Sequence, residues 1–586
     1  MKKFVLIFLI SFSVKAQLLP PIQSFTPQDY QAANQNWMID GSTSNEILFS
    51  NSEGLLIFDG TRWNTYSSPN GTIIRSVKNT GDLIYTGSHS DFGFWKKSIN
   101  GNLYYTSLVK KLNLNIEEDE EFWNILTLDN WIIFQSLHRF IFLDNNTNEI
   151  KYLKIDGTIQ FSIVLDNEIY FSSESGFFKL LNGQPALLIN NSIISSNVIN
   201  VFNQNDGLLL LSSRDGFYTL SNDGYVSKKK SYLDSNVNFS IFSSLQLNDD
   251  SFVLGTIGQG IVLLNSDLQF NSKIDKSKGL INNTVLSIFQ DFESNIWLGL
   301  DNGISVINSK SPFKIFNDDN GTLGTVYASR VYKEHFYLGT NQGLFFKKHK
   351  SNEPFKFIEN TTGQVWSLEE IDGYLFCGHD QGTFVINKGF ANKIEGTFGS
   401  WTFRKKIDGS SDIIEGSYEG LSVLSLDNNN WVLKNKLSGF DISSRFFELS
   451  NNGKIIVSHG YKGVYKLTVN SEFTEIIDYE LDSDAVKGGN TSLAKFDNNI
   501  YYNFIDGVMK YNSISNEFSR DTLLSNLSKK DLFYGIIRND LDGKLWLFSE
   551  NYIHYVYKDL VTGNKKVNSL VFSNELRRTV FENISK

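Results

Sequence analysis

The chain has 586 residues, a formal net charge of -10 at pH 7 and a single cysteine, and 14% of its residues are aromatic. One cysteine excludes a disulfide framework and a metal cluster built on cysteines of this chain alone, and the acidic balance argues against nucleic acid as the main partner. The content of 44 glycines against 7 prolines is typical of many short strands joined by tight turns.

The first residues have the pattern of a secretory signal. Lys2 and Lys3 precede an apolar run over residues 4–10, and Val14 and Ala16 are small residues at the positions that a signal peptidase reads. We therefore expect residues 1–16 to be a signal peptide and the mature chain to be periplasmic. An N-terminal membrane anchor is the alternative, but the apolar run is shorter than the roughly 20 residues that a bilayer span needs.

A strand, a glycine turn and a second strand recur along the rest of the chain. The clearest copy is residues 296–307, and further copies follow at 336–346 and 375–386. Their period is about 41 residues, the length of a four-stranded propeller blade. The turn glycines are expected at positive φ, which glycine adopts without a Cβ penalty.

Helical and β-solenoid repeats are the competing architectures. No stretch of about twelve residues or more keeps a helical period, and the rungs of a parallel β-helix are usually shorter than this repeat. The predicted fold class is therefore all-β, with two tandem β-propellers of seven four-stranded antiparallel blades each and one blade split or degenerate. The predicted segments are a signal peptide at 1–16, an N-terminal propeller at 17–315, a second propeller at 316–568, and the start of a linker to a missing C-terminal region at 569–586.

The best repeat, over residues 279–307, fits the pattern N-x-V-x-x-I-x-x-D-x-x-G-x-I-W-I-G-T-x-x-G-L. It departs at Ser294, where Gly is usual, and at Leu300, where Thr is usual. It therefore resembles the two-component regulator propeller repeat. Residues 34–40, 54–63 and 73–95 are similar to the start of such sensor regions in Bacteroidetes-type regulators. The matching residues are Asn283, Val285, Ile288, Asp291, Ile296, Trp297, Gly299, Gly303 and Ile304.

In that family the propellers form the periplasmic sensor of hybrid two-component or triple-tyrosine helix-turn-helix regulators, and the ligands are mainly polysaccharide breakdown products. The resemblance implies a non-catalytic, carbohydrate-binding sensor region that acts in signal transduction and transcription regulation without a cofactor or a metal. It implies an oligosaccharide or another small ligand as partner, and a homodimer formed through a missing C-terminal region. The kinase and DNA-binding outputs of the family have no counterpart in this sequence, so we expect the output from a continuation past Lys586 or from a partner.

Propeller topology predicts where a ligand sits. In a meander blade, the start of the innermost strand and the loop between strands two and three lie on one face, around a mouth of the axial channel. Aromatic rings there stack on sugars, while Arg and His donate to hydroxyls or carboxylates. In the second propeller the predicted ligand-binding residues are Arg330, Trp366, His379, Trp401, Arg404, Tyr418, Arg445 and His459. In the first propeller the equivalent residues are Arg75, His89, Trp123, His138, Arg139 and Arg214.

Several alternatives stay open at this level. Trp366 and Trp401 can instead be core residues between blades, and the chain can be a stand-alone periplasmic scaffold or carbohydrate-binding propeller. Propellers also host polysaccharide lyases and glycosidases, although residues 540–546 fail the spacing of a sialidase Asp box and no G-x-S-x-G elbow exists. The acidic run 117–121 is predicted as a solvated loop rather than a calcium site, and the histidines show no zinc signature.

Overall fold

The computed structural model describes residues 18–98, 101–194, 196–235, 239–311, 315–316, 321–351, 353–488, 490–527, 532–539, 544–549 and 552–571. The predicted signal peptide at 1–16 lies outside these residues. The chain divides into two compact units, one of residues 17–317 and one that contains residues 318–586. The division falls close to the boundary predicted at residue 315.

The N-terminal unit consists of four-stranded antiparallel sheets, which we number as blades N1 to N7. The strands are, for N1, Asn36–Gly41, Ile47–Asn51, Gly54–Phe58 and Trp63–Ser67; for N2, Ile74–Asn79, Leu83–Ser88, Phe92–Lys97 and Leu103–Ser107; for N3, Phe122–Leu128, Trp131–Ser136, Arg139–Asp144 and Ile150–Lys154; for N4, Ile159–Leu165, Glu168–Ser173, Gly176–Leu181 and Gln184–Asn190; for N5, Val198–Gln204, Gly207–Ser212, Gly216–Ser221 and Val226–Lys229; for N6, Ile241–Gln246, Phe252–Thr256, Ile261–Leu264 and Phe270–Ile274; and for N7, Val285–Gln290, Ile296–Leu300, Ile304–Ile307 and Ile22–Phe25.

These blades form a closed ring. The first strand of each blade packs on the first strand of the next, and the first strand of N7 packs on that of N1. The outermost strand of N7 is Ile22–Phe25, from the start of the chain, and it pairs antiparallel with Ile304–Ile307. A sheet that joins the two ends of the unit holds the ring together, and N7 is the split blade that the sequence predicts.

The described part of the C-terminal unit contains six sheets of the same kind, blades C1 to C6, and a seventh blade in this unit stays a prediction. The last strand runs to Val571, so three residues of the segment predicted as linker belong to C6. The strands are, for C1, Val326–Tyr332, His335–Thr340, Leu344–Lys348 and Lys356–Phe357; for C2, Val365–Ile371, Tyr374–His379, Gly382–Asn387 and Phe390–Lys393; for C3, Ser400–Lys405, Ile413–Ser417, Gly420–Asp427 and Asn430–Lys436; for C4, Phe446–Leu449, Ile455–His459, Gly463–Val469 and Ile476–Leu481; for C5, Ser492–Phe496, Asn499–Phe504, Gly507–Asn512 and Glu517–Arg520; and for C6, Phe533–Asn539, Lys544–Ser549, Tyr552–Lys558 and Lys565–Val571.

Few other described residues lie in regular secondary structure. A two-stranded ladder joins Leu18–Leu19 to Ile315–Phe316. The helices are Pro27–Tyr30, Leu108–Lys111 and Thr522–Ser525, with 3-10 turns at Tyr232–Ser235 and Lys276–Lys278. Among the described residues, none of these helices has the length and hydrophobicity needed to cross a bilayer. The predicted all-β fold of tandem propellers is confirmed.

The hydrophobic core lies between neighbouring blades, because each blade buries both of its faces. Leu298 of N7 is fully buried in one cluster with Val253 and Ile261 of N6. Trp297, on the other face, is buried and its indole Nε1 donates to Asp291 Oδ2 at 2.9 Å. This hydrogen bond explains why the repeat pairs an Asp with a Trp six positions later.

Two kinds of glycine allow this packing. Gly420, a predicted turn glycine, has φ of 106°, and a Cβ there would lie 2.2 Å from the carbonyl oxygen of Phe440. The prediction of positive φ is wrong for Gly54, Gly93 and Gly507. Gly378 lies in the second strand of C2, where a Cβ would come within 2.7 Å of the Trp401 carbonyl oxygen in C3. The first position needs a special backbone conformation, and the second needs room for the next blade.

Candidate functional site

The mouth of the C-terminal propeller is formed by the starts of the first strands and by the loops between second and third strands. In C3, Ser400 at the start of the first strand pairs with Ser417 at the end of the second, so the loop that begins at Tyr418 lies beside it. A β-bulge follows the first residue of the first strand in C1, C2 and C3. Bulges re-aim side chains out of the ladder. The residues that these bulges leave unpaired are Tyr327, Trp366 and Trp401.

These three residues and Tyr418 form a continuous line of rings, which we call the aromatic row. Tyr327 stacks on Trp366 with ring centroids 5.1 Å apart. The centroids of Trp366 and Trp401 are 4.8 Å apart, and those of Trp401 and Tyr418 are 4.9 Å apart. The Trp366 Nε1 donates to the Tyr418 hydroxyl at 2.8 Å. All four side chains are half-buried, so they bridge neighbouring blades and still present ring surface at the mouth.

Arg445 extends the aromatic row into C4. Its guanidinium carbon lies 5.4 Å from the Trp401 ring centroid and 4.7 Å from that of Phe446. The segment is held by Trp401 Nε1, which donates to Ser443 Oγ at 3.0 Å, and by Thr402 Oγ1, which donates to the Arg445 carbonyl at 3.1 Å. Burial lowers the pKa of Arg445 to about 10. A poorly hydrated guanidinium at a mouth lined by rings suits an anionic group.

A buried carboxyl group anchors the start of the C3 first strand. Glu415 is 1% exposed, and its Oε1 accepts hydrogen bonds from Thr383 Oγ1 at 2.6 Å and from Ser400 Oγ. Burial raises the pKa of Glu415, and the two hydrogen bonds oppose that shift. Because Ser400 directly precedes Trp401, this contact fixes the backbone that carries the aromatic row.

The two predicted histidines differ in their surroundings. His379 is fully buried, with Nε2 beside the Thr361 carbonyl at 3.1 Å, and Nδ1 lies 3.0 Å from the Gln381 backbone nitrogen and 2.6 Å from Asp380 Oδ1. Burial lowers its pKa, which favours the neutral ring. His459 is half-buried in C4, and its pKa is lowered by burial and then by Lys462. His379 exposes no surface to a ligand, so we leave it out of the binding surface proposed below.

The two other predicted arginines lie further along the first strands. Arg404 donates to Glu448 Oε1 from Nε at 3.0 Å and from Nη2 at 2.9 Å, and its Nη1 donates to Glu369 Oε2 at 3.0 Å. These three residues come from the first strands of C4, C3 and C2. Arg330 lies 3.6 Å from Glu370. Arg404 thus ties three neighbouring blades together.

In the N-terminal propeller the acidic run holds the predicted cationic residues. Glu120 is buried and accepts from Arg139 Nε at 2.7 Å, and Glu121 accepts from Arg75. Asp119 lies 3.6 Å from the His89 ring. The prediction of a solvated loop is therefore wrong for Glu120. No group of three or more His, Cys, Asp or Glu is placed to hold a metal ion within the described ranges.

The remaining predicted residues of this mouth have looser contacts. His138 is exposed, and its Nδ1 lies 3.2 Å from the Gly157 carbonyl. Arg214 follows the second strand of N5, where its backbone N–H donates to Ser196 Oγ at 3.3 Å. Trp123 contacts Arg75 in the first strand of the neighbouring blade.

Sequence reasoning missed Tyr327 and Glu415. Tyr327 occupies the same place in its repeat as Trp366 and Trp401, one residue after the start of the first strand, so alignment of the repeats on that position would have found it. Glu415 is the charged residue of a fully buried second strand, Ile413–Ser417. A lone carboxylate in a buried strand is the signal that points to it.

No family model and no curated protein matches this chain. Among solved structures, the chain is similar to the extracellular domain of BT3049, described as a hybrid two-component system of B. thetaiotaomicron, with 15% identity, a TM-score of 0.59, and coverage of 94% of this chain and 88% of that one. It is also similar to the extracellular domain of BT4673 of the same organism, described as a one-component system, at 16% identity, a TM-score of 0.41 and coverage of 94% and 78%. PorZ, a surface component of the type-IX secretion system of Porphyromonas gingivalis, matches at 10% identity and a TM-score of 0.35, over 92% of this chain and 81% of PorZ. The resemblance seen in the repeats is confirmed at the level of the fold.

Proposed function

We propose that the chain is the extracytoplasmic, ligand-binding sensor region of a signalling protein, and that it binds an acidic oligosaccharide without catalysis at the mouth of the C-terminal propeller. The observation that carries this proposal is the aromatic row with Arg445 at its end. Four rings from three neighbouring blades lie in contact, with a poorly hydrated guanidinium beside the last tryptophan.

The chemistry of the row supports this ligand class. Indole and phenol rings pack against the C–H faces of pyranose rings, and a guanidinium recognises a carboxylate through paired N–H donors. Ser443 and Tyr418 add hydroxyl groups beside the row. The likeness to BT3049, an extracellular domain described as part of a hybrid two-component system, supports the sensor role.

Isothermal titration with an acidic oligosaccharide, such as a galacturonate tetramer, tests the proposal. We expect Arg445→Gln to weaken binding at least about tenfold, because charge-assisted hydrogen bonds contribute about 1.5–3 kcal/mol. Trp401→Phe keeps a ring and loses the Nε1–H bond to Ser443, so we expect a smaller loss. Arg520→Gln is the matched control, since Arg520 also lies over an aromatic ring, 5.6 Å from Phe504, but on an outer strand.

The outcomes separate the alternatives. Equal affinity of the wild-type and Arg445→Gln proteins would exclude this mouth as the site. Release of shorter sugars, followed by mass spectrometry after prolonged incubation, would refute the non-catalytic reading. If no acidic oligosaccharide in a broad panel binds, the proposed ligand class is wrong.

A further inference from the structure

The N-terminal propeller has its own cluster of bulge residues at its mouth. Bulges near the start of the first strands of N1, N2 and N3 leave Trp37, Arg75 and Trp123 unpaired in the ladder. The Arg75 guanidinium carbon lies 4.2 Å from the Trp37 ring centroid and 4.4 Å from that of Trp123. The two indoles meet edge-on, with centroids 5.8 Å apart. We call these three residues the arginine sandwich.

The hydrogen bonds of the arginine sandwich are incomplete within the described residues. Arg75 Nε and Nη2 donate to Glu121 Oε1 at 3.3 and 3.1 Å, and Trp37 Nε1 donates to Ser52 Oγ at 3.1 Å. Arg75 Nη1 and Trp123 Nε1 are buried and have no acceptor among those residues. Buried donors are nearly always paired in native proteins, so these two atoms, on side chains in contact, indicate a place for an acceptor atom.

The charge around the sandwich selects the kind of acceptor. Glu121 already neutralises the guanidinium, and the same loop carries Glu117, Glu118 and the 87% exposed Asp119. A second carboxylate would meet like charges here. An uncharged oxygen, such as a hydroxyl or an amide carbonyl, meets the two donors without that repulsion.

We propose that the arginine sandwich is a second ligand site, distinct from the C-terminal mouth, and that it binds a neutral saccharide through a hydroxyl or acetamido oxygen that accepts hydrogen bonds from Arg75 Nη1 and Trp123 Nε1. The C–H face of the sugar packs on the exposed part of the indoles. Both donors are covered in this structure, so a sugar oxygen reaches them only when an indole tilts. Binding therefore changes tryptophan emission.

Titration of the full chain with N,N′-diacetylchitobiose tests this site, with affinity and tryptophan emission followed together. Trp123→Phe keeps a ring and removes one of the two unpaired donors, and we expect it to weaken binding at least about tenfold. Trp37→Phe is the matched control, because its indole N–H already has an acceptor in Ser52. We expect that variant to lose less than about threefold.

Equal affinity of wild-type and Trp123→Phe proteins overturns the proposal, as does the absence of saturable binding by this disaccharide. Equal losses of affinity in Trp123→Phe and Trp37→Phe also overturn the proposal, because the unpaired indole N–H of Trp123 then makes no special contribution to binding the sugar. The site is separable from the C-terminal mouth. Arg445→Gln should leave diacetylchitobiose binding unchanged, and Trp123→Phe should leave binding of the acidic oligosaccharide unchanged, so either proposal can fail alone.

Discussion

Replacement of Arg404 by methionine tests whether this residue joins blades or binds ligand. Methionine keeps most of the aliphatic length and removes the guanidinium that bonds Glu448 and Glu369. If Arg404 links the first strands of neighbouring blades, the variant loses stability and keeps its affinity for the acidic oligosaccharide. If it is a ligand contact, the reverse holds.

The burial of the three side chains sets the size of the expected loss of stability. The side chains of Arg404 and Glu369 are 28% and 27% exposed, whereas that of Glu448 is 7% exposed. Removing one partner of a buried pair costs about 3–5 kcal/mol, and exposed pairs contribute about 0–1 kcal/mol. The loss of the contact with the buried Glu448 therefore accounts for most of the expected loss of stability. We expect a loss of about 3 kcal/mol, which is roughly a 150-fold change in the unfolding equilibrium.

Urea unfolding followed by tryptophan fluorescence measures this loss. Lys405→Met is the matched control, because the neighbouring Lys405 pairs with Asp372 where both side chains are more than 40% exposed, and we expect it to cost less than about 1 kcal/mol. The double variant Arg404→Met with Glu448→Gln removes the unpaired carboxylate and should recover about 1–2 kcal/mol. An Arg404→Met protein with wild-type stability and tenfold weaker binding of the acidic oligosaccharide would refute the reasoning.

Two further predictions concern buried groups of the same unit. Burial raises the pKa of Glu415, so its contribution to stability is full below the unfolded pKa of about 4.3 and is lost as the pH rises toward the folded value. The free energy of unfolding of Glu415→Gln, measured in urea, should therefore rise relative to that of the wild type between pH 4 and pH 8. A difference between the two proteins that stays constant over this range would contradict the prediction. Cys377 is fully buried and burial raises its pKa, so its thiol should react with Ellman's reagent only in urea; rapid reaction of the folded protein would disagree with its position.

The fold was predictable because its cause is repeated along the chain. Most blades pair a turn glycine with an apolar second strand, as at Gly303 with Ile296–Leu300, and the recurrence of this pair sets the period. One split or degenerate blade was also expected from the length of the chain, although neither its form nor its place was predicted. The identity of its outer strand, Ile22–Phe25, was not predictable, because four residues carry no signal that distinguishes them from any other short strand.

The candidate site was predictable only in part, since it depends on contacts between repeats. Topology alone brings Trp366, Trp401 and Tyr418 to one mouth. By contrast, the contact of Arg404 with Glu448 and the burial of His379 depend on how neighbouring blades are aligned with one another. No pattern within one repeat shows which charged residue of the next blade lies opposite.

The bulges explain how such a repeat can carry a binding function at all. Within the first strands, side chains such as that of Phe403, which is fully buried, serve the packing between blades. One extra residue near the start of that strand adds a side chain outside the regular ladder, and several of the residues that the described bulges leave unpaired are aromatic, among them Trp37, Trp123, Phe242, Tyr327, Trp366 and Trp401. Ligand specificity can therefore change at these positions, at most one in each blade, while the residues that pack between the blades stay the same.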